Sequence, residues 1–251
     1  MGASATQLPN SSNLPTGSAT MSPGMRTADR YARYLYDCVK HWLKPPILEI
    51  GCGFGTYTQF LLRHGKVICA DIDAGCLDQV EHQYTGQDVL TTQLDLNIGE
   101  QVRALGCYCF HSAFSTNVFE HISNDEESLR NVRYAIAPGG TLCLVVPSHP
   151  RLYGYMDDQA GHFRRYTRRS VARTLTAAGW RVQRTFYVNA LGGLGWWFNH
   201  RYLRPKGIDS AAINNQLLFY DRFLVPVARL TDWMWRRVFG LSVVAIASND
   251  A

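Results

Sequence analysis

The chain has 251 residues, of which 46% are apolar and 18% are charged. This composition excludes a disordered chain, a collagen-like repeat and a disulfide scaffold, and the length suits one large domain or two small ones. The net charge of +5 is unevenly distributed. Residues 151–237 carry 15 Lys and Arg against 5 Asp and Glu, whereas the remainder carries 10 against 15. Such asymmetry indicates an anionic partner for the basic part.

In chain order, the hydrophobic pattern predicts alternating helices and strands from residue 26 onward. Strands that alternate with helices indicate an α/β fold with a parallel, doubly wound sheet. The predicted elements are a helix over 26–43, a strand over 47–50, a helical stretch to 63, a strand over 66–70, a helix over 74–83, strands over 89–94 and 108–115, a helix over 125–137, a strand over 141–146, a helix over 168–178, and strands over 181–188 and 241–247.

The first 25 residues contain no charged side chain and are rich in Ser, Thr, Pro, Gly and Asn. They lack the basic and apolar regions of a secretory signal, so we expect a disordered tail over 1–25 and one domain over 26–251. No stretch reaches the ~20 apolar residues that a spanning helix needs. The seven cysteines have no framework spacing, which predicts reduced thiols and a cytoplasmic location.

A glycine-rich loop follows the first predicted strand, with Gly51, Gly53 and Gly55 ahead of a helical stretch. Glycines let the backbone bend sharply and approach a ligand closely. The third glycine comes one position earlier than in the dinucleotide pattern G-x-G-x-x-G, which argues against a pyrophosphate cradle. Asp71, at the end of the second strand, can accept hydrogen bonds from ribose hydroxyls, and Asp95, after the third, can accept one from an exocyclic amine.

Five segments, ILEIGCGFGT, ICADID, QLDL, STNVFEHI and LRNVRYAIAPGGTLCLVVP, resemble a class I S-adenosylmethionine (SAM)-dependent methyltransferase. The resemblance implies a Rossmann-like, seven-stranded sheet with a reversed last hairpin, and SAM as the cofactor. It also implies which residues contact SAM. These are Glu49, Gly51, Gly53 and Gly55 at the methionine end, Asp71 at the ribose, Ile72, Asp95 and Leu96 at the adenine, and Asn117 near the sulfonium.

Glu120 and His121 follow the fourth predicted strand, and His162 precedes a later helix. Ubiquinone-pathway O-methyltransferases and plant small-RNA 2′-O-methyltransferases are similar here, and they hold a divalent metal with Glu-x-x-Glu-His and a later His. Asn117 replaces the first Glu in this sequence, so a metal at Glu120, His121 and His162 is an alternative and not the expectation. The other interpretations are that His121 or His162 is a general base, or that these side chains only fix the loop.

The residues that contact the methyl acceptor are expected on the segments that follow the carboxyl ends of the last parallel strands. Guanidinium groups there suit phosphate or carboxylate groups. We predict that residues 189–240 form a helical, aromatic insertion before the last strand and that this insertion lines one side of the acceptor pocket. The predicted acceptor contacts are Tyr153, Arg164, Arg165, Tyr166, Trp196 and Trp197.

Within that insertion, apolar residues recur at helical spacing, and Pro226 should kink the helix. Two interpretations of this stripe remain open. It either packs against the domain, or it meets a membrane or a lipid-linked substrate. The stripe consists of Phe219, Phe223, Val227, Leu230, Met234 and Val238.

These observations predict a SAM-dependent methyltransferase that acts on a small or lipid-linked acceptor, most directly at a hydroxyl oxygen. The basic segment favours an acceptor that is anionic or is delivered from an anionic surface, with peripheral membrane contact. Two alternatives belong to other classes. One is a nucleic-acid methyltransferase or binding protein, which the lack of an RNA-binding motif disfavours. The other is a SAM-binding protein with a different activity.

Overall fold

The computed structural model describes residues 29–198 and 218–250. Within them, seven strands form one sheet in the order β3-β2-β1-β4-β5-β7-β6. The central strands are mostly apolar, because a sheet covered on both faces buries nearly every side chain of those strands, whereas β3 and β6 at the two sides are more polar. The strands are β1 (Ile47–Ile50), β2 (Val67–Asp71), β3 (Val89–Gln93), β4 (Phe110–Thr116), β5 (Ile136–Pro147), β6 (Arg181–Val188) and β7 (Ser242–Ser248).

The strand directions confirm the predicted topology. β1 pairs in parallel with β2 and β4, and the parallel pairing continues to β3 on one side and β5 on the other. β7 inserts between β5 and β6 and is antiparallel to both, which is the reversed last hairpin. The carboxyl ends of β1 to β5 therefore meet at one edge of the sheet, where ligands bind in open α/β folds.

The helices agree with the predicted ones in position, and α3 agrees in both bounds. Two short helices, α4 and α6, were not predicted. The α-helices are α1 (Asp29–Val39), α2 (Thr58–Leu61), α3 (Ala74–Gln83), α4 (Gly99–Ala104), α5 (Asp125–Ala135), α6 (Tyr155–Ala160), α7 (Arg168–Ala177), α8 (Ala190–Phe198) and α9 (Val225–Trp235). The described residues also include 3₁₀ turns at Lys40–Trp42, Leu105–Tyr108, Phe119–His121 and Pro150–Leu152.

The start of the fourth strand corrects the prediction for residues 108–115. The turn Leu105–Tyr108 occupies the predicted first residue, and Cys109 is in the left-handed conformation with φ 48°. A residue in that conformation cannot continue a strand. The sheet pairing of β4 therefore begins only at Phe110.

The helical insertion before β7 is present as predicted, and buried polar contacts attach it to the domain. Asp232 of α9 is buried and accepts hydrogen bonds from the Tyr34 hydroxyl and from the backbone N–H groups of Asn189 and Ala190. These bonds connect α1, the start of α8 and α9. The predicted tail over 1–25 and residues 199–217 of the insertion lie outside the described residues.

The helix that contains Pro226 is irregular, and the irregular turn lies ahead of the proline. A π-helical turn, Tyr220–Leu224, precedes α9. Proline has no N–H, so the carbonyl four residues earlier lacks its usual helical partner. That carbonyl belongs to Arg222, and the Arg30 guanidinium donates to it at 3.0 Å. Of the helices in the described ranges, none has the length and apolar character needed to cross a bilayer.

Candidate functional site

The glycine loop between β1 and α2 has a backbone that other residues adopt with difficulty. Gly51 and Gly55 have φ values of 72° and 76°. A Cβ placed on Gly51 would lie 2.2 Å from Cγ2 of Val118, which belongs to the segment after β4. The loop is therefore packed directly against the segment that carries Glu120 and His121, two and three residues further along the chain.

Asp71 at the end of β2 is buried and holds the glycine loop. Its Oδ2 accepts from the Gly53 N–H at 2.8 Å, and its Oδ1 accepts from the Asp73 N–H at 3.0 Å. Burial raises the pKa of this carboxyl above its ordinary value. Each carboxylate oxygen can accept a further hydrogen bond, so Asp71 keeps the capacity to bind hydroxyl groups.

Glu49, the third residue of β1, is a buried carboxyl with one oxygen left open. Its Oε2 accepts from the Thr58 hydroxyl at 2.6 Å and from the Cys69 thiol at 3.4 Å. Its Oε1 is buried and has no hydrogen-bond partner among the described residues. Burial raises the pKa of this carboxyl well above its ordinary value. A ligand that supplies a donor or a positive charge would satisfy it.

The remaining predicted cofactor residues follow β2, β3 and β4 at the same edge. Ile72 is exposed, so its side chain is accessible to the adenine ring that it is predicted to contact. Asp95 Oδ1 accepts from the backbone and side-chain N–H groups of Asn97, both at 2.8 Å. The Leu96 side chain is buried in the core, and its carbonyl accepts from the Ser128 hydroxyl at 2.9 Å. Asn117 is exposed and left-handed, with φ 53°.

Glu120, His121 and His162 come together although 41 residues separate the last two. One ligand atom from each side chain lies within 4.8 Å of the others. The two imidazole centroids are 4.7 Å apart with the rings nearly perpendicular, and His162 Nε2 lies 3.9 Å from Glu120 Oε1. The Phe163 N–H donates to the Glu120 carbonyl at 2.7 Å, which fixes the two segments together.

This cluster contains buried groups without partners. Both Glu120 oxygens and His121 Nδ1 have no hydrogen-bond partner among the described residues, and Glu120 is fully buried. Burial raises the pKa of Glu120 to about 7. Burial, together with the neighbouring His162, lowers the pKa of His121 to about 4. Because unsatisfied buried polar groups cost free energy, the cluster is suited to a proton, a cation or a ligand.

Asp157 in α6 orients His162. Its Oδ1 lies 2.7 Å from His162 Nδ1 and also accepts from Arg165 Nε at 2.7 Å. Burial alone would raise the pKa of Asp157, but the hydrogen bonds from His162 and Arg165 bring it below its ordinary value. With Nδ1 engaged, the Nε2 lone pair of His162 faces the cluster.

The predicted acceptor contacts divide into two groups. Arg164, Arg165 and Tyr166 make internal contacts: Arg164 pairs with Asp125 at 2.5 Å, Arg165 is buried on Asp157, and the Tyr166 hydroxyl donates to Asp125 at 2.7 Å. The others lie nearer the surface. Tyr153 donates to the His162 carbonyl at 2.7 Å, Trp196 lies against Arg165, and Trp197 is exposed.

Comparison with known proteins agrees with this arrangement. Residues 48–142, which run from β1 into β5 and contain the glycine loop, Asp71 and Glu120, match the family model for a methyltransferase domain. This region is similar to a methyltransferase domain, and the comparisons support a class I SAM-dependent methyltransferase.

Two curated relatives each match less than half of the chain. Trans-aconitate 2-methyltransferase from Rhodopseudomonas palustris is 28% identical over 113 residues, which cover 43% of this chain and 41% of that protein. Lovastatin diketide synthase from Monascus pilosus is 30% identical over 115 residues, 42% of this chain but 4% of that protein. The match therefore spans less than half the length of these relatives.

A solved structure supports the fold over most of the chain. The SAM-dependent methyltransferase from Archaeoglobus fulgidus superposes with a TM-score of 0.57 at 17% identity, covering 87% of this chain and 94% of that one. The cofactor of the family is SAM. The open Oε1 of Glu49, the left-handed glycine loop and the lone pairs left on Asp71 fit it chemically.

Sequence reasoning missed several residues of this methyltransferase site. Val118 has no chemical signal. The sequence left open whether the segment that contains Asp157 faces a substrate or is a solvated loop, and it did not link Asp157 to His162. His149, two residues after β5, is also new: it is left-handed with φ 57° and its ring stacks on Tyr187 and Phe239, at 4.6 and 5.0 Å. The only available signal for it was its position just after a strand.

Proposed function

We propose that this methyltransferase transfers the methyl group of SAM to a hydroxyl oxygen of a small or lipid-linked acceptor. The observation that carries the proposal is the buried Glu120, His121 and His162 cluster on the segment packed against the glycine loop. In the reaction the acceptor oxygen attacks the methyl carbon as the carbon–sulfur bond breaks. The products are a methyl ether, S-adenosylhomocysteine and one proton, so a hydroxyl acceptor requires a group that takes the proton.

The cofactor assignment follows the order of the strand ends. We assign the methionine part of SAM to Glu49 and the glycine loop, where the open Glu49 oxygen can accept from the amino group. Asp71 would bind the ribose hydroxyls, and Ile72, Asp95 and the Leu96 backbone would contact the adenine. Asn117 would lie near the sulfonium, because it begins the segment that packs on Gly51.

We expect Asp71→Ala to weaken SAM binding at least about tenfold, because hydrogen bonds to a charged group contribute ~1.5–3 kcal/mol each. Calorimetric titration with SAM measures the change, with thermal unfolding as a check on folding. Asp78→Ala, which removes an exposed acid from α3, is the matched control and should bind SAM normally. An absence of SAM binding by the unmodified protein would reject the cofactor assignment.

For the proton we propose His162. Asp157 engages its Nδ1, so Nε2 is the nitrogen available to an acceptor hydroxyl, and Glu120 lies beside it. An imidazole held by a carboxylate is a common arrangement for a general base. His121 lies edge-to-face with His162 and helps to set the orientation of its ring.

A second candidate for this cluster is a divalent cation held by Glu120, His121 and His162. The unpartnered Glu120 oxygens and His121 Nδ1 favour it, and a carboxylate with two imidazoles is a suitable donor set when water completes the coordination. A bound cation would supply Lewis-acid activation of the acceptor hydroxyl. The protein groups would then fix the ion, and Asp157 would orient His162 as an outer-shell carboxylate does.

Elemental analysis separates the two candidates. If the cation is bound, the purified protein should carry about one divalent metal, and His121→Ala should lose it together with methyl transfer. His82→Ala, an exposed histidine of α3, is the control and should keep both. Full methyl transfer after exhaustive chelation would reject the cation and leave His162 as the base.

The contacts of the basic segment weigh against nucleic acid as the acceptor. Arg164 and Arg165 are paired with Asp125 and Asp157, and Arg168 donates to the backbone carbonyls of Thr185 and Arg237. Binding of nucleic acid depends on arginines that can reach phosphates. These three are instead used within the fold, so an anionic group on the acceptor would need other cations.

A further inference from the structure

The helical insertion exposes an unusually apolar surface, which we call the outward face. Its residues are on the helix that covers 218–235 and on the turn after it. Leu230 is 75% exposed, Trp233 73% and Met234 61%. The interpretation in which the stripe packs against the domain is therefore wrong for the described residues. The outward face consists of Phe219, Phe223, Val227, Leu230, Trp233, Met234 and Val238.

The opposite, buried side of the same helix is narrow and partly polar. It consists of Asp221, Val225, Ala228 and Asp232, at spacings of four, three and four. Asp221 accepts from the Tyr31 N–H at 2.7 Å, and Asp232 anchors α8 as described above. The helix thus turns its acids inward and its large apolar groups outward. This is the reverse of a helix that only covers a core.

The exposed charges on this helix all have one sign. Both acids within 218–238 are buried, whereas every arginine in that range is exposed. Arg222, Arg229 and Arg236 are seven residues apart, so they lie along one edge of the helix, beside the outward face. Arg229 pairs with Asp37 of α1 at 2.8 Å, which partly neutralises its charge within the fold. Arg237 adds a fourth exposed cation.

We propose that the outward face is a membrane-docking surface that lies in the headgroup region of an anionic bilayer. Aromatic and aliphatic residues on one side with arginines along the edge are typical of interfacial helices. The 18 residues of 218–235 span ~27 Å, long enough to lie flat in that region. A second copy of the chain is a poorer match, because its outward face brings the same four arginines and no exposed acid.

This inference goes beyond methyl transfer and does not depend on it. α8 follows the carboxyl end of β6, and the chain after α9 leads into β7. A docked helix would therefore place the edge of the sheet at which the acceptor is expected close to the bilayer surface. A lipid-linked acceptor could then enter from the headgroup region. Docking itself can be measured without SAM or acceptor.

The test is flotation of the full chain with vesicles of phosphatidylcholine alone or with an equal part of phosphatidylglycerol. We expect binding to the anionic vesicles that falls with added salt, and quenching of tryptophan fluorescence by brominated acyl chains. Trp233→Glu should weaken binding about tenfold or more, because it replaces a large apolar contact by a charge repelled from the surface. Arg222→Gln and Arg236→Gln should each weaken it about fivefold.

Tyr134→Glu is the matched control, because Tyr134 is a similarly exposed aromatic on α5, and it should bind like the unmodified chain. Circular dichroism and thermal unfolding establish that each variant is folded. No flotation with either vesicle would overturn the proposal, as would equal binding by Trp233→Glu. A dimer in sedimentation that Trp233→Glu dissociates, without vesicle binding, would also overturn it and assign the face to a second copy.

Discussion

Gly51→Ala should weaken SAM binding about 30-fold or more while leaving the chain folded. An alanine at φ 72° costs ~1–2 kcal/mol, and its Cβ would meet Val118 Cγ2 at 2.2 Å, which adds an overpacking cost of ~1–3 kcal/mol. The loop can avoid both only by moving, and movement breaks the bond between Gly53 and Asp71. Calorimetric titration with SAM gives the affinity, and thermal unfolding gives the stability.

Two further variants separate the conformational cost from the contact. Gly86 has φ 80° and no atom within 4 Å of an added Cβ, so Gly86→Ala should bind SAM like the unmodified chain. Adding Val118→Ala to Gly51→Ala removes the contacting methyl group and should restore the part of the affinity that the contact costs, while the cost of the left-handed backbone remains. Wild-type affinity in Gly51→Ala, or no recovery in the double variant, would contradict the packing of the loop against Val118.

Glu120→Gln should reduce methyl transfer about 100-fold or more with little effect on SAM binding. The substitution keeps the shape of a fully buried side chain and removes its charge, and loss of a positioned acid–base or ligand group costs ~10²–10⁴ in rate. Transfer of tritiated methyl groups from SAM into extractable products of a total cell extract measures the activity. Titration with SAM measures cofactor binding separately.

Glu126→Gln is the control for Glu120→Gln. Glu126 lies six residues further along, on the exposed side of α5, where it pairs with Arg130. Its loss should leave the rate within about twofold, because exposed ion pairs contribute little. A normal rate in Glu120→Gln would remove the cluster from the mechanism, under either the base or the cation interpretation.

The sheet and the glycine loop could be predicted because local pattern determines them. Strands β1 and β7 bury every residue, so their sequences are short and mostly apolar, with Glu49 the exception in β1 and serines at the two ends of β7. Strand, loop and helix follow one another without interruption from Ile47 to Leu61. The motif acids Asp71 and Asp95 follow strand ends, and parallel topology alone brings those ends to one edge.

The orientation of the helical insertion could not be predicted from its periodicity. A helical period reveals that two faces differ but not which of them meets the domain. Here Asp221 and Asp232 decide the outcome, because their partners Tyr31 and Tyr34 lie on α1, about 190 residues earlier. Two buried carboxylates therefore place the apolar groups at the surface.

The burial of Asp157 could not be predicted from the sequence for a similar reason. The sequence from 153 to 158 is polar and aromatic, which is typical of a solvated loop. In the structure it forms α6, and Asp157 is fully buried because His162 and Arg165 supply donors from a later segment. Such reciprocal burial depends on partners that only the fold brings together.

The shared oxygen of Asp157 has a consequence for changing acceptor specificity by exchange of the insertion. Asp157 Oδ1 binds both His162 and Arg165, and the Arg165 guanidinium lies 4.7 Å from the Trp196 ring centre on α8. Transplanting residues 189–240 from a relative without an aromatic at 196 would uncover Arg165 and free it to move. Asp157 would then turn with it, and His162 would lose its alignment. A chimera that keeps methyl-transfer activity therefore has to take Asp157, Arg165 and Trp196 together from the same parent protein.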